Sequence, residues 1–267
     1  MTYRPSTRPL LALCLTALSG LPLAQAAEPS LWGDHTDVSV GLAAGAASRY
    51  MGSKDYRPQV VPLVSVQRGV LFADTTRGLG LQWQSPQGLT LSGAFNYDFG
   101  RDDRDSNSRP GSDRLRGMGE INGATVFDLN LSQALTPWLS LNLEGEWRVA
   151  GEQRGDRYRM GLEAITLHTD SDTLAVDLDA HAGSQRFNQT WFGVTPQQSL
   201  NSGFAIERSD AGIYAYSTAL NWLHNFDTHW SSLATLTVTH YTDQVRDSPL
   251  LQRSTAATGT LALTYSF

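Results

Sequence analysis

The chain holds one cysteine in 267 residues, Cys14. It lies in an N-terminal segment that reads as a cleaved leader, so the remaining chain has no disulfide framework and no thiol chemistry. Beyond that segment no apolar run approaches the roughly 18 residues of a spanning helix, and helical periodicity is scarce. Basic residues are in deficit as well, with 20 Lys and Arg against 26 Asp and Glu. Without Arg4 and Arg8 of the leader the count becomes 18 against 26, a net charge of −8. That balance argues against nucleic acid or an anionic membrane surface as partner.

Met1 to Arg8 carries Arg4 and Arg8 with no acid, Leu10 to Leu18 is apolar, and Ser19-Gly20-Leu21-Pro22 leads to the small-residue site Ala24-Gln25-Ala26. This is the pattern of a secretory signal peptide over residues 1–26, with the mature protein expected to begin at Ala27. Cys14 follows Leu13 inside the apolar run, where a lipobox wants a small residue, so no lipid anchor is expected. A membrane protein without spanning helices has to be a closed barrel.

What is present is alternation of period two. The chain ends Leu261-Ala262-Leu263-Thr264-Tyr265-Ser266-Phe267, which puts Leu261, Leu263, Tyr265 and Phe267 on one face of a strand and Thr264 and Ser266 on the other. A soluble protein seldom ends on such an exposed edge. In an outer-membrane barrel it is the closing strand, and it resembles the C-terminal signal read by the barrel-assembly machinery. Leu139, Leu141, Leu143, Trp147 and Val149 alternate with Ser140, Asn142, Glu144, Glu146 and Arg148. Charges on the inner face of a one-layer sheet require that face to be wet. The segments at Leu89–Tyr97, Phe127–Leu131 and Leu174–His181 repeat the pattern, and Tyr214, Tyr216, Leu220 and Trp222 line a further strand with aromatics near its ends.

Connections come in two sizes. Short ones fall at Arg68-Gly69, 85–88, 135–137, 169–172 and 225–229; mostly longer, polar ones fall near 51–56, 75–78, 99–117, 151–157, 185–211 and 242–254. Six loops and five turns give an all-β transmembrane antiparallel barrel of 12 strands, one domain over residues 27–267, with short turns in the periplasm. Because Val70–Asp74 and Leu79–Gln84 are short for membrane strands, 10 strands is the alternative.

No cofactor or metal motif is legible. His168, His181, His224, His229 and His240 are scattered. Arg101-Asp102-Asp103-Arg104-Asp105 lacks the spacing of a calcium loop and reads as a mixed-sign solvated loop, able to meet lipopolysaccharide headgroups through bridging cations. Ser184 stands three places from His181, which in a strand turns the two side chains to opposite faces and spoils a Ser-His pair. Glu144, Glu146, Glu163, Asp177 and Asp179 are expected inside, with Arg148, Arg157 and Arg159 nearby, in a lumen more plugged than open.

Four blocks carry a family resemblance: Tyr50-Met51-Gly52-Ser53-Lys54-Asp55-Tyr56; Leu115-Arg116-Gly117-Met118-Gly119; Trp191-Phe192-Gly193-Val194-Thr195-Pro196-Gln197-Gln198-Ser199 with Gly203; and Asp247-Ser248-Pro249-Leu250. They resemble the MipA/OmpV family, the MltA-interacting proteins of the Gram-negative outer membrane. The resemblance implies a non-catalytic barrel, like the scaffolds that join a lytic transglycosylase to a murein synthase in peptidoglycan assembly. A small charge-selective channel, or a permeability or adhesion barrel, is the alternative. The motif glycines Gly52, Gly117, Gly119, Gly193 and Gly203 read as backbone positions needing positive φ or close approach, and Trp191-Phe192 as a pair that folds inward as a plug. A murein partner would meet the periplasmic rim, where Trp32 in the segment from Ala27 to Asp37 is the candidate aromatic anchor.

Overall fold

The computed structural model describes residues 31–267; the signal peptide and Ala27 lie outside them. Twelve strands follow one another: β1 (Asp37–Ser48), β2 (Tyr56–Arg68), β3 (Leu71–Asp74), β4 (Gly78–Gln84), β5 (Leu89–Asp98), β6 (Ala124–Thr136), β7 (Leu139–Gly151), β8 (Arg157–His168), β9 (Asp172–Gly183), β10 (Gly212–Asn225), β11 (Trp230–Tyr241) and β12 (Thr255–Ser266). Three short helices sit in the connections: α1 (Gln185–Phe192), α2 (Pro196–Ser202) and α3 (Asp243–Arg246). Each strand pairs antiparallel with its chain neighbours, and β12 returns to β1 from Ala46↔Gly259 to Ser39↔Ser266, closing the barrel. Both short segments count as strands, which decides for 12 over 10.

The outer face is apolar. Val60, Leu79, Phe95, Leu178, Leu236 and Leu261 all stand exposed on it, and Ala262 and Thr264 of the closing strand are buried on the inner one. A band of this kind is stable only against lipid. Aromatic residues mark its two borders: Trp83, Trp138, Trp222 and Trp230 at one, Tyr56, Tyr97, Tyr158 and Tyr216 at the other. Phe95, Phe127, Trp147 and Tyr158 form a ladder across four strands, with ring centroids 5.4, 6.5 and 6.0 Å apart. Their rings cover glycines of the wall: a Cβ on Gly145 would come within 2.4 Å of Trp147 and one on Gly93 within 3.0 Å of Phe127.

Alternation breaks at Tyr214. Tyr214 was expected to face outward with Tyr216 and Trp222, but it is buried and points inward. The pairing of β10 with β9 shifts register between Ile213 and Ala215, and such a bulge reverses the face of everything beyond it.

The wall is incomplete beside β2. β3 pairs with β2 only from Ser65 to Arg68, and the connection 75–77 is a tight turn rather than a long loop. Val64 donates its N–H to Thr75 Oγ1 and accepts the Thr75 N–H, each at 3.0 Å, so its peptide groups face β3. Counting back by two places Pro58, Val60 and Pro62 on the same edge, where no strand pairs with them. Proline has no N–H to leave unsatisfied there. Val60, paired with β1 on its other edge and with no strand on this one, is 65% exposed.

The C-terminus completes the seam. Phe267 donates its N–H to Val38 O at 3.0 Å, and its ring, 78% exposed, meets Tyr265 edge-on at 5.0 Å. Phe267→Asp keeps the backbone bond and removes the aromatic handle. The expected outcome is a reduced fraction of heat-modifiable barrel in the outer membrane on unheated gels; a wild-type fraction would show that the terminal ring is not read during assembly.

Candidate functional site

The lumen has three levels. Its middle is charged. Glu146 pairs with Arg157 and Glu144 with Arg159 directly across β7 and β8. Arg159 lies 2.7 Å from Glu144 and 3.3 Å from Asp179, while Arg157 is held against Glu146. Glu163 and Asp177 face each other across β8 and β9, and no arginine is hydrogen-bonded to either oxygen of Glu163. Arg148, expected in this group, is not part of it. It stays in register with Val126, two residues nearer the long loops than Glu146, and donates to the carbonyl of its own strand's Gly151 at 3.0 Å.

Toward the short turns the inner face becomes apolar. Leu63, Ala175, Leu223, Leu233 and Ala262, joined by Ala43, Val61 and Ile165, form a belt over seven consecutive strands. Side chains this buried do not line a wide aqueous pore.

Toward the long loops the lumen is capped. Phe187, Trp191 and Phe192 of α1 pack on Tyr214 and Tyr241 of the wall, with Ile121 and Val245. Ser184 starts the helix by accepting the Phe187 N–H, which together with the Asp156 N–H occupies its hydroxyl at a distance from His181. His181 instead meets Ser217 Oγ at 2.8 Å, and Ser217 donates to Asp179 Oδ2 at 3.4 Å. The carboxylate thus sits on the serine rather than behind the histidine, which is the wrong order for activating a nucleophile. Ser217 could not be found from the sequence, since it lies 36 residues from His181.

A second lid cluster joins Tyr50, Leu115, Met118, Val194 and Leu250. Tyr50 Oη donates to Leu250 O at 3.1 Å, Tyr241 Oη accepts the Gly52 N–H at 3.0 Å, and Gln198 Nε2 donates to Met118 O at 2.9 Å. Ser248 Oγ donates to Phe192 O. Arg101 is fully enclosed, donates to Trp191 O at 3.2 Å, and has its pKa lowered to about 10 by burial. Burial raises the pKa of Tyr50 in the same lid. Asp102, Asp103 and Glu120 bring three carboxylates within 4.8 Å on the outer surface, but Arg109 already binds Asp102 at 3.0 Å and also contacts Glu120.

The four sequence blocks therefore meet in the lid. Residues 40–267 match the family model described as MltA-interacting protein MipA. The chain belongs to this family. A search of curated proteins found none that matches. Among solved structures, it is similar to the KdgM porin, at 8% identity, with 86% of this chain and 99% of that one covered and a TM-score of 0.42. The NanC porin gives 10% identity, coverage of 86% and 99%, and a TM-score of 0.43. An outer membrane channel from Pseudomonas putida F1 gives 11%, 91% and 100%, and 0.44.

The family positions divide by what they touch. Gly52, Gly117, Gly119 and Gly203 have φ of 87°, 88°, 78° and 79°. Gly117 is also pressed onto α2, where a Cβ would lie 2.5 Å from Asn201 O. Gly193 differs: its φ of −80° is open to any residue, and what excludes a side chain is Gln189, whose backbone carbonyl oxygen would be 2.6 Å from a Cβ, with its Nε2 at 2.0 Å. Thr195 caps α2 in a reciprocal pair with Gln198, and Ser199 O accepts the Gly203 N–H at the other end. Ser53 is buried and bonds Asp55; Tyr56 stands on the outer face and accepts the Ala257 N–H at 3.3 Å. Asp247 caps α3 and Pro249 offers its carbonyl to Arg114 at 3.3 Å.

Phe192→Ala removes the centre of the lid and should cost the lid on the order of 3–5 kcal/mol. The expected outcome is rapid proteolysis within 185–211 of a barrel that remains heat-modifiable; unchanged protection would place the lid's stability elsewhere.

Proposed function

We propose that this chain is a non-catalytic outer-membrane barrel that serves as a docking scaffold for a murein hydrolase of the MltA type and, through it, a murein synthase. The observation that supports this reading is the filled lumen: a packed lid at the long-loop end and an apolar belt toward the turn end leave little room for bulk transport. The family description, which names an interaction with MltA, supports the choice of partner. Docking then falls to the turn end, which this reading places in the periplasm. Leu31–Gly33 lies across the β2–β3 turn there, with Leu31 O accepting the Val70 N–H at 2.9 Å. Gly69, at φ 53°, permits the contact, since a Cβ would reach within 2.2 Å of Leu31 O. This pins the backbone while the Trp32 side chain remains 63% exposed.

Trp32→Ala should weaken capture of a purified lytic transglycosylase by on the order of 2 kcal/mol without loss of heat-modifiability. Equal capture by the variant would reduce Trp32 to a marker of the membrane interface. Orientation has its own check. A tag inserted at 185–211 should be labelled on intact cells and one at 169–171 only after permeabilisation; the opposite pattern inverts the topology.

A second reading, a small charge-selective channel, is favoured by the acidic middle of the lumen. Planar bilayers separate the two: cation-selective conductance by the wild-type barrel, together with no murein enzyme captured from periplasmic extract, replaces the scaffold with the channel.

A further inference from the structure

We propose that the lumen binds a small organic cation, an alkylammonium or alkylguanidinium group, between Glu163 and Asp177. A cavity of about 250 Å³ opens in the middle of the barrel, and its acidic lining comprises Asp128, Glu144, Glu163, Asp177 and Asp179. Glu163 is only 2% exposed, and neither of its carboxylate oxygens has a hydrogen-bond partner. Asp177, 8% exposed, accepts from Asn221 Nδ2 at 2.7 Å through Oδ2, while its Oδ1 has no partner. The two residues are directly opposed in the β8–β9 register, where like charges repel. Buried carboxylates without partners are costly, and those in native proteins are paired or neutralised.

The protein's own cations are committed elsewhere. Arg159 spans Glu144 and Asp179, and Arg157 is held by Glu146. A cation entering the cavity would meet three carboxylate oxygens, both of Glu163 and Oδ1 of Asp177, that no hydrogen-bond donor engages. A metal ion does not suit the arrangement: among the described residues, three carboxylates converge within 4.8 Å only at Asp102, Asp103 and Glu120, far along the sequence in the lid loop. The surroundings suit an amine with a short hydrocarbon arm. Ile165 lies two residues beyond Glu163 and Ala175 two residues before Asp177, so the apolar belt begins where the acids end. The cavity also reaches Thr76 and Arg77 at the tip of the β3–β4 hairpin, beside the unpaired edge of β2.

The site stands apart from the docking reading and is tested separately. Isothermal titration of the purified, detergent-solubilised barrel with n-butylamine at neutral pH should give saturable binding; n-butanol, its neutral counterpart, should give none, and magnesium should not displace the amine. Glu163→Gln and Asp177→Asn should each weaken binding about tenfold or more, as expected for loss of a charged hydrogen bond, while Asp102→Asn in the lid should leave it unchanged. Glu163→Gln should also raise the melting temperature of the amine-free barrel by relieving the repulsion. Absence of saturable amine binding, displacement by magnesium, or wild-type affinity in both lumen variants would overturn the proposal, as would a lower melting temperature for Glu163→Gln.

Discussion

Hydrocarbon offers a peptide group no hydrogen bond, so a strand in this wall must be paired on both edges, and the return of β12 to β1 is what makes the single-layer sheet viable at all. Closure also fixes the meaning of every side chain, because period two then separates a lipid face from a lumen face with nothing between. The break in pairing beside β2 shows the same constraint from the other side. Where β3 stops short and the edge of β2 is left free, two of the three residues directed at the gap are Pro58 and Pro62, whose nitrogens carry no hydrogen.

Inside the wall the constraint is electrostatic. Nineteen of the 20 basic residues are arginines, Lys54 being the exception. A planar guanidinium can serve two carboxylates at once, as Arg159 does with Glu144 and Asp179 and Arg109 with Asp102 and Glu120. Pairing across β7 and β8 is in register, so those ion pairs follow directly from the strand alignment. The β8–β9 register instead opposes two acids, and no shift of one residue would relieve it without turning Glu163 to lipid.

The faces of most strands were legible because alternation is a local property. Leu261 and Leu263 stand exposed and Thr264 is buried from the pattern alone. Tyr214 was misplaced because it is itself the residue left out of the pairing between Ile213 and Ala215, and a single extra residue leaves no mark in composition. The inward turn of Trp191 and Phe192 was readable from the cost of leaving two aromatics in water. Their partners were not, since Tyr241 and Ser248 come from another strand and another loop and only the closed barrel brings them near. The glycine motifs pointed to positive φ or close approach, and Gly193 owes its identity to the close approach of Gln189, its carbonyl oxygen included, rather than to its dihedral.

Lid and lumen are not independent. Tyr214 packs beneath Phe187 and Phe192, with ring centroids 5.5 Å from each, and on its other side lines a second cavity of about 380 Å³ together with His181, Asp177 and Asp179. The bulge at Ile213 to Ala215 thus sets one side chain as both the floor of the lid and the roof of the acidic chamber. A rotation of that ring needed to release α1 would change the chamber's volume, and a molecule filling the chamber would resist the rotation. By linkage the effect is reciprocal: whatever binds the acids better under a closed lid also holds the lid closed by the same free energy.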